Sequence, residues 1–288
     1  MTALSLAPAT ATVRAPLGPS VEAQLGRSEF ERVRELIHRH AGISLHAGKQ
    51  AMVFGRLSRQ LRDGGHASFA SYLDALEHGG STSQWQDFVN CLTTNLTTFF
   101  REEHHFALLA EALRARRDSR VALWCNAASS GEEAYSVAMT LAETLGATAA
   151  NARILATDID TRVLATAARG IYDAAARGLD AARLRAHFLR GKGAQAGSIR
   201  VKPELARLIE FRRFNLAEPQ WSLHESFDIV FCRNVMIYFD APTQRRVLER
   251  THAAMKPGGL LFVGHSENLG DARELFRLRG KTLYERIG

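Results

Sequence analysis

With 288 residues, 46% of them hydrophobic and 23% charged, the chain is long for one compact core and suits two domains of an ordinary globular protein. No apolar run approaches the roughly 20 residues needed to cross a bilayer, and the N-terminal residues lack the basic, then apolar, then small-residue order of a secretory signal, so neither is expected and a cytoplasmic protein is. The formal charge of +7 and pI near 9.7 ask for an acidic partner, which charge alone leaves open between nucleic acid, anionic lipid and an acidic protein surface.

Met1 to about Leu25 is rich in Ala, Pro, Thr and Ser without sustained periodicity and is expected to be a flexible tail. From Ser28 the pattern changes. Ser28 is placed to cap a helix, Glu31 follows three residues later as in a capping box, and Phe30, Val33 and Ile37 recur at helical spacing as far as about Arg39. Three further helices are marked by Met52, Val53, Leu57 and Leu61, then Phe69, Tyr72, Leu73 and Leu76, then Trp85, Phe88, Val89 and Leu92. Residues 26–93 thus read as a small all-α domain. Between Gly42 and Arg62 lie Lys49, Arg56, Arg59 and Arg62 and no acid. A solvated face is the usual meaning of such a run, but the complete lack of acids points modestly to docking of an acidic helix. RNA stays open at this stage, though no aromatic-basic platform accompanies the patch.

Residues 94–118 read as a linker with a helix from about Glu102 to Arg116, and residues 119–288 as an α/β domain. Val121 to Cys125 is a short apolar run, followed by the small-residue loop Asn126 to Gly131 and a helix opened by Glu132 and Glu133 and ended at Gly146. Strand, small-residue loop, helix is the first βα unit of a nucleotide-binding fold. Further strands are expected at Ile154 to Thr157, Leu208 to Phe211, Phe227 to Phe231 and Leu260 to Gly264, with a helix over Pro242 to Met255 and a terminal hairpin turning near Gly280. Helical material at Leu179 to Phe188 and the glycine-rich stretch Arg190 to Val201 break the alternation, and an inserted β-subdomain is expected over about 170–206. Cys91, Cys125 and Cys232 are far apart, and the expectation is three buried small side chains with neither disulfide nor metal site.

The loop after the first strand is not GxGxxG, which disfavours a dinucleotide oxidoreductase. S-adenosylmethionine has no pyrophosphate, so acids there make sense: Glu132 for an ammonium or hydroxyl, and Asp158, ending the second strand, for the ribose hydroxyls. Taken alone, Glu132 reads first as a helix-N-terminal acid favoured by the dipole, and it is with Asp158 in register that the ligand reading overtakes. Arg233, Asn234 and Tyr238 continue an apolar strand beyond its carboxyl end, where ligands of such sheets bind, and Asn215 and Leu216 fall on the same edge.

The strings TNLTTFFRE (Thr94 to Glu102), WCNAASSGEEAYS (Trp124 to Ser136), ATDIDT (Ala156 to Thr161), FDIVFCRNVMIYF (Phe227 to Phe239) and MKPGGLLFVGHSE (Met255 to Glu267) closely resemble the chemotaxis receptor methyltransferases, the CheR family, in order and over essentially all of the chain after the tail. The resemblance implies a Rossmann-like class I S-adenosylmethionine-dependent methyltransferase domain with a small inserted antiparallel β-subdomain, behind an all-α domain. It implies transfer of the methyl group to glutamate carboxylates on the cytoplasmic helices of chemoreceptors, leaving S-adenosylhomocysteine. Carried over motif by motif, the cofactor contacts are Asn95, Thr97, Arg101, Glu132, Asp158, Asn215, Leu216, Arg233 and Asn234, with Arg101 and Tyr238 flanking the reacting centre. Lys49, Arg56, Arg59 and Arg62 become receptor-docking residues, and the β-subdomain resembles those of members that grip a receptor C-terminal pentapeptide. Cys125 and Asn126 stand where more common members carry other small residues. A monomer with no metal, no nucleic-acid partner and no membrane insertion is expected. An RNA methyltransferase and a cofactor-sensing module without turnover remain as alternatives.

Overall fold

A computed structural model describes residues 24–116 and 120–288. The tail expected over residues 1–25 lies outside them except for its last two residues, of which Leu25 is buried in the first core. Four helices follow: α1 (Arg27–Ala41), α2 (Gln50–Asp63), α3 (Phe69–Gly79) and α4 (Thr82–Leu92). Their apolar stripes close on one cluster containing Phe30, Val33, Ile37, Val53, Leu57, Phe69, Leu73 and Phe88. Ser68 and Ser81 each complete a capping box. The box expected at Ser28 does not form, because α1 begins two residues earlier with Gly26 as its cap. Ser28 then lies inside the first turn and donates to Glu29, while Glu31 pairs with Arg34.

From Thr93 the chain has no regular structure, and Phe100 and Glu102 sit at φ +50° and +59°. Left-handed residues cannot enter an α-helix, so α5 (His104–Arg114) starts two residues later than its sequence suggests. Next come β1 (Ala122–Cys125), α6 (Glu132–Leu145), β2 (Arg153–Asp158) and α7 (Thr161–Arg169). An excursion follows through β3 (Ile171–Asp173), α8 (Ala181–His187), β4 (Phe188–Arg190), β5 (Ser198–Val201) and α9 (Pro203–Ala206). The chain then returns with β6 (Ile209–Arg213), β7 (Phe227–Cys232), α10 (Ala241–Ala254), β8 (Met255–Val263), β9 (Phe276–Gly280) and β10 (Leu283–Arg286).

The main sheet has the order β6-β2-β1-β7-β8-β10-β9, parallel through β8, with β10 antiparallel to both its neighbours. Side chains alternate across it. Leu123, Cys125, Ile154, Ala156, Ile229 and Phe231 join the core under α5 and α6, whereas Trp124, Leu155, Val230 and Cys232 join the one under α10. Strand order reverses between β1 and β7, the switch point at which such sheets open a crevice beyond their carboxyl ends. Of the cysteines, Cys125 and Cys232 are buried as expected and Cys91 is only half-buried; all three are free thiols.

The excursion forms a second, three-stranded antiparallel sheet, β3-β5-β4. It grips the linker. Phe99 packs edge-on against Tyr172 and Phe188 with ring centroids 4.9 and 5.8 Å away, and the Arg183 guanidinium lies 3.7 Å above the Phe100 ring. Gly178, at φ +90°, passes so close that an added Cβ would lie 1.9 Å from the Phe99 carbonyl oxygen, and only glycine fits there.

Candidate active site

Beyond the carboxyl ends of β1, β2, β6 and β7 lies a cavity of about 490 Å³. Its wall has three sources: the Ile43–Lys49 segment between α1 and α2, the linker from Thr93 to Arg101, and the loops after those four strands. The two halves of the chain are joined at its edge. Asn215 Nδ2 donates to the His40 carbonyl at 2.8 Å, the Ser44 amide donates to the Tyr238 carbonyl at 2.8 Å, and Ile43 forms an isolated β-bridge with Phe239.

At the end of β2, Asp158 accepts the amides of Ser129 (2.8 Å) and Asp160 (2.9 Å) and is almost fully buried. Burial pushes its carboxyl up to about 6, against the pull of those two amides. A buried carboxylate with lone pairs facing a cavity suits a pair of hydroxyl donors. Ser129 itself sits at φ +49° and gives its hydroxyl to the Asn95 carbonyl, tying this loop to the linker.

The acid on the cavity wall at the start of α6 is Glu133, one residue on from the expected Glu132. Glu132 is not among the lining residues and accepts the Ser130 hydroxyl at 2.7 Å instead. Successive helical residues are turned by about 100°, so only one of two adjacent acids can face the crevice, and sequence does not say which. Glu133 is held by Arg233 Nη1 at 2.8 Å, and Glu102 lies 3.5 Å from Arg233 Nη2, which also donates to the Arg101 carbonyl. The Arg233 side chain is 1% exposed. Burial raises the Glu133 carboxyl even against this partner, whereas for Glu102 the pull of Arg233 and the His265 amide outweighs burial and holds it below its ordinary value. His105, fully buried beside this network, is pushed down to about 3 by burial and by Arg233, so it is neutral. Glu102, His104 and His105 place ligand atoms within 4.8 Å of one another, but the countercharge to Glu102 is already the chain's own arginine.

Asn234 lies at φ +58°, and the turn it opens is held from behind. Glu267 is buried just past β8 and accepts four amides, those of Gly264, Asn234, Val235 and Met236, at 2.6 to 2.8 Å. Sequence reasoning missed Glu267, although an acid beyond the carboxyl end of a parallel strand is the same signal that found Asp158. Glu267→Gln sets an amide group against at least one of those N–H donors, and a loss of about 1–3 kcal/mol in urea unfolding is expected together with slower methyl transfer. An unchanged unfolding midpoint would mean that the carboxylate does not hold the turn.

The linker residues are placed with equal economy. Asn95 Nδ2 donates to Asp160 at 2.7 Å, and Arg101 Nη1 donates to the Leu96 carbonyl at 2.9 Å. Asn95, Thr97, Arg101, Asp158, Asn215, Leu216, Arg233, Asn234 and Tyr238 all line the one cavity; of the expected cofactor residues only Glu132 does not. The basic run is less uniform than its sequence suggests. Lys49 reaches the cavity edge, but Arg56 turns inward to the carbonyls of Leu92 (3.0 Å) and Thr93 (2.6 Å) and the Thr94 hydroxyl. Arg56 is therefore a strut under the linker, with helix-end carbonyls as its partners. Arg59 and Arg62 remain exposed, with Asp63 3.6 Å from Arg59.

Four buried polar atoms of lining residues, Asn126 Oδ1 and Nδ2, Glu133 Oε1 and Arg233 Nε, lack hydrogen-bond partners among the described residues. Acceptors for an ammonium and for hydroxyls, beside cations for a carboxylate, fit an amino-acid nucleoside. The comparisons agree with that fit. Residues 95–284 match the family described as CheR methyltransferase, SAM binding domain, and residues 28–93 match CheR methyltransferase, all-alpha domain. The chain is 47% identical over 261 residues to the chemotaxis protein methyltransferase of Escherichia coli, covering 90% of this chain and 91% of that protein. It is 48% identical over 261 residues to the one from Klebsiella aerogenes (90% of each). With chemotaxis protein methyltransferase 2 of Pseudomonas aeruginosa it shares 47% over 272 residues, covering 93% and 96%. Cavity, sheet order and both matched halves lead to one assignment: the chain belongs to the CheR family of S-adenosylmethionine-dependent methyltransferases.

Proposed function

We propose that this enzyme esterifies glutamate side chains on the cytoplasmic helices of chemoreceptors, with the transfer cavity assembled at the seam between its two halves. The single observation that carries the reading is the meeting of Arg101, Asn234 and Tyr238 with Asp158 and the Glu133–Arg233 pair in one cavity. S-adenosylmethionine supplies an electrophilic methyl group on a positively charged sulfur. A glutamate with a pKa near 4.3 is already ionised at neutral pH, so its oxygen lone pair forms the new O–CH₃ bond while the S–CH₃ pair returns to sulfur, and no proton moves. The chain's work is then proximity, orientation and exclusion of water. In this reading Asp158 takes the ribose hydroxyls and Glu133 with Arg233 the amino-acid end. Arg101 uses one donor on Leu96 and, having five, can also hold the incoming carboxylate. Lys49, Arg59 and Arg62 draw the acidic helix to α2.

The test is methyl transfer from labelled cofactor to receptor cytoplasmic fragments. Glutamyl esters release volatile methanol in mild base. Label that stays bound under base, or appears only on RNA, would overturn the proposal. Arg101→Ala is expected to lower turnover about a hundredfold with the unfolding midpoint unchanged, since what it removes is alignment of the reacting carboxylate; near-normal turnover would take Arg101 out of the site.

A further inference from the structure

Two aliphatic side chains that line the transfer cavity are without apolar cover among the described residues. Leu96 is 79% exposed and Ile237 51% exposed, and both line the cavity. Solitary exposed leucines are common and need no explanation, but Leu96 is not on a loose loop. Its own carbonyl is held by Arg101, and the residue before it is fixed to Asp160 through its side chain and to Ser129 through its carbonyl. Ile237 projects from the short turn between Met236 and Tyr238 that the Glu267 carboxylate braces. The chain thus holds two apolar groups in water on the wall of the cavity that Arg101 and Tyr238 also line. Around them the surface is cationic or polar: Lys49 and His46 are exposed at the same opening.

We infer that Leu96 and Ile237 are specificity-determining residues that read the apolar neighbours of the target glutamate on the substrate helix. The inference rests on the proposed function above and narrows its substrate class. A glutamate that enters the cavity from a helix brings the residues three and four positions away onto the rim, because those positions share its face. An apolar rim rewards small or aliphatic side chains there and penalises charged ones, which would be desolvated without a partner. Lys49 outside the rim favours acids further along the same helix. Choice among several exposed glutamates of one receptor then follows from the neighbours of each, not from the carboxylate they share.

The experiment measures steady-state transfer to a receptor cytoplasmic fragment, with cofactor affinity determined separately by calorimetry. Leu96→Ala and Ile237→Ala are expected to raise KM for the fragment roughly tenfold each, as loss of apolar contact at a recognition surface does, while cofactor Kd stays within about twofold. A fragment with aspartate placed one helical turn from its methylated glutamate should be a poor substrate for the parent enzyme, and should lose less when tested with Leu96→Ala. That non-additivity is a readout that a structural defect would not give. If the parent enzyme methylates the fragment but both variants keep its KM, or if they change cofactor Kd instead, the rim does not read the substrate. If the parent enzyme transfers nothing to the fragment, it is the proposed function that falls.

Discussion

Arg233→Met should lower the stability of the protein by about 3–5 kcal/mol, because it removes the only cation, among the described residues, paired with the buried Glu133 carboxylate and the partly buried Glu102, and leaves both without a countercharge. The pH dependence separates this cause from lost packing against Phe106, whose ring lies 6.0 Å from the guanidinium. In the parent protein Glu102 titrates below its ordinary value, so it contributes stability that is present above that ordinary value and lost as pH falls through its folded value. Glu133 is raised above its ordinary value even with its partner present, so its ionisation is unfavourable to the fold and that penalty is relieved as pH falls from its folded value to its ordinary one. Without Arg233 the Glu133 carboxyl is raised further and Glu102 loses the largest pull that holds it down. Urea unfolding should therefore show the gap between variant and parent widest at neutral pH and narrowing in mild acid. A gap of constant size would mean that shape, not charge, is what Arg233 contributes.

Asp158→Asn is expected to weaken cofactor binding roughly a hundredfold, the loss of two hydrogen bonds to a charged acceptor. In the parent enzyme affinity should fall as pH drops through about 6, where Asp158 takes up its proton, approaching tenfold per pH unit below it. The fold responds in the opposite direction. A carboxyl whose folded value is about 6 against an ordinary value of 3.8 opposes folding when ionised, so its contribution to the empty protein improves as pH falls between those values. Calorimetric titration across this range, paired with unfolding of the empty protein, gives two slopes of opposite sign, and the asparagine variant should flatten both. A level binding profile in the parent protein would exclude Asp158 as the diol acceptor.

Much of this could be read before any coordinates existed. The four N-terminal helices follow from apolar spacing, and the parallel strands from short apolar runs closed by polar residues, because burial on one face of a helix or both faces of a sheet writes itself into sequence periodicity. The places where local reading failed are those at which distant residues decide. Whether Glu132 or Glu133 faces the crevice depends on the phase of α6 against the sheet. The start of α5 is delayed by left-handed residues at Phe100 and Glu102, which stay there because Phe99 and Phe100 are pinned under β3, β4 and α8. Arg56 looked like one of three equivalent arginines on a helix, and only the packing of α4 on α2 shows that it faces carbonyls. Glu267 carries no periodic signal at all; its role exists only where four amides meet it.

Four of the five non-glycine residues with positive φ among those described, Phe100, Glu102, Ser129 and Asn234, belong to the linker and the loops around the cavity. Each such conformation is less favourable than its ordinary alternative and persists only because the surroundings insist on it. The enzyme therefore has unused stability at the positions it can least spare for it. A programme that selects variants for heat resistance alone should be drawn to these four sites, relaxing the backbone there, and would return proteins that melt later and transfer methyl groups more slowly.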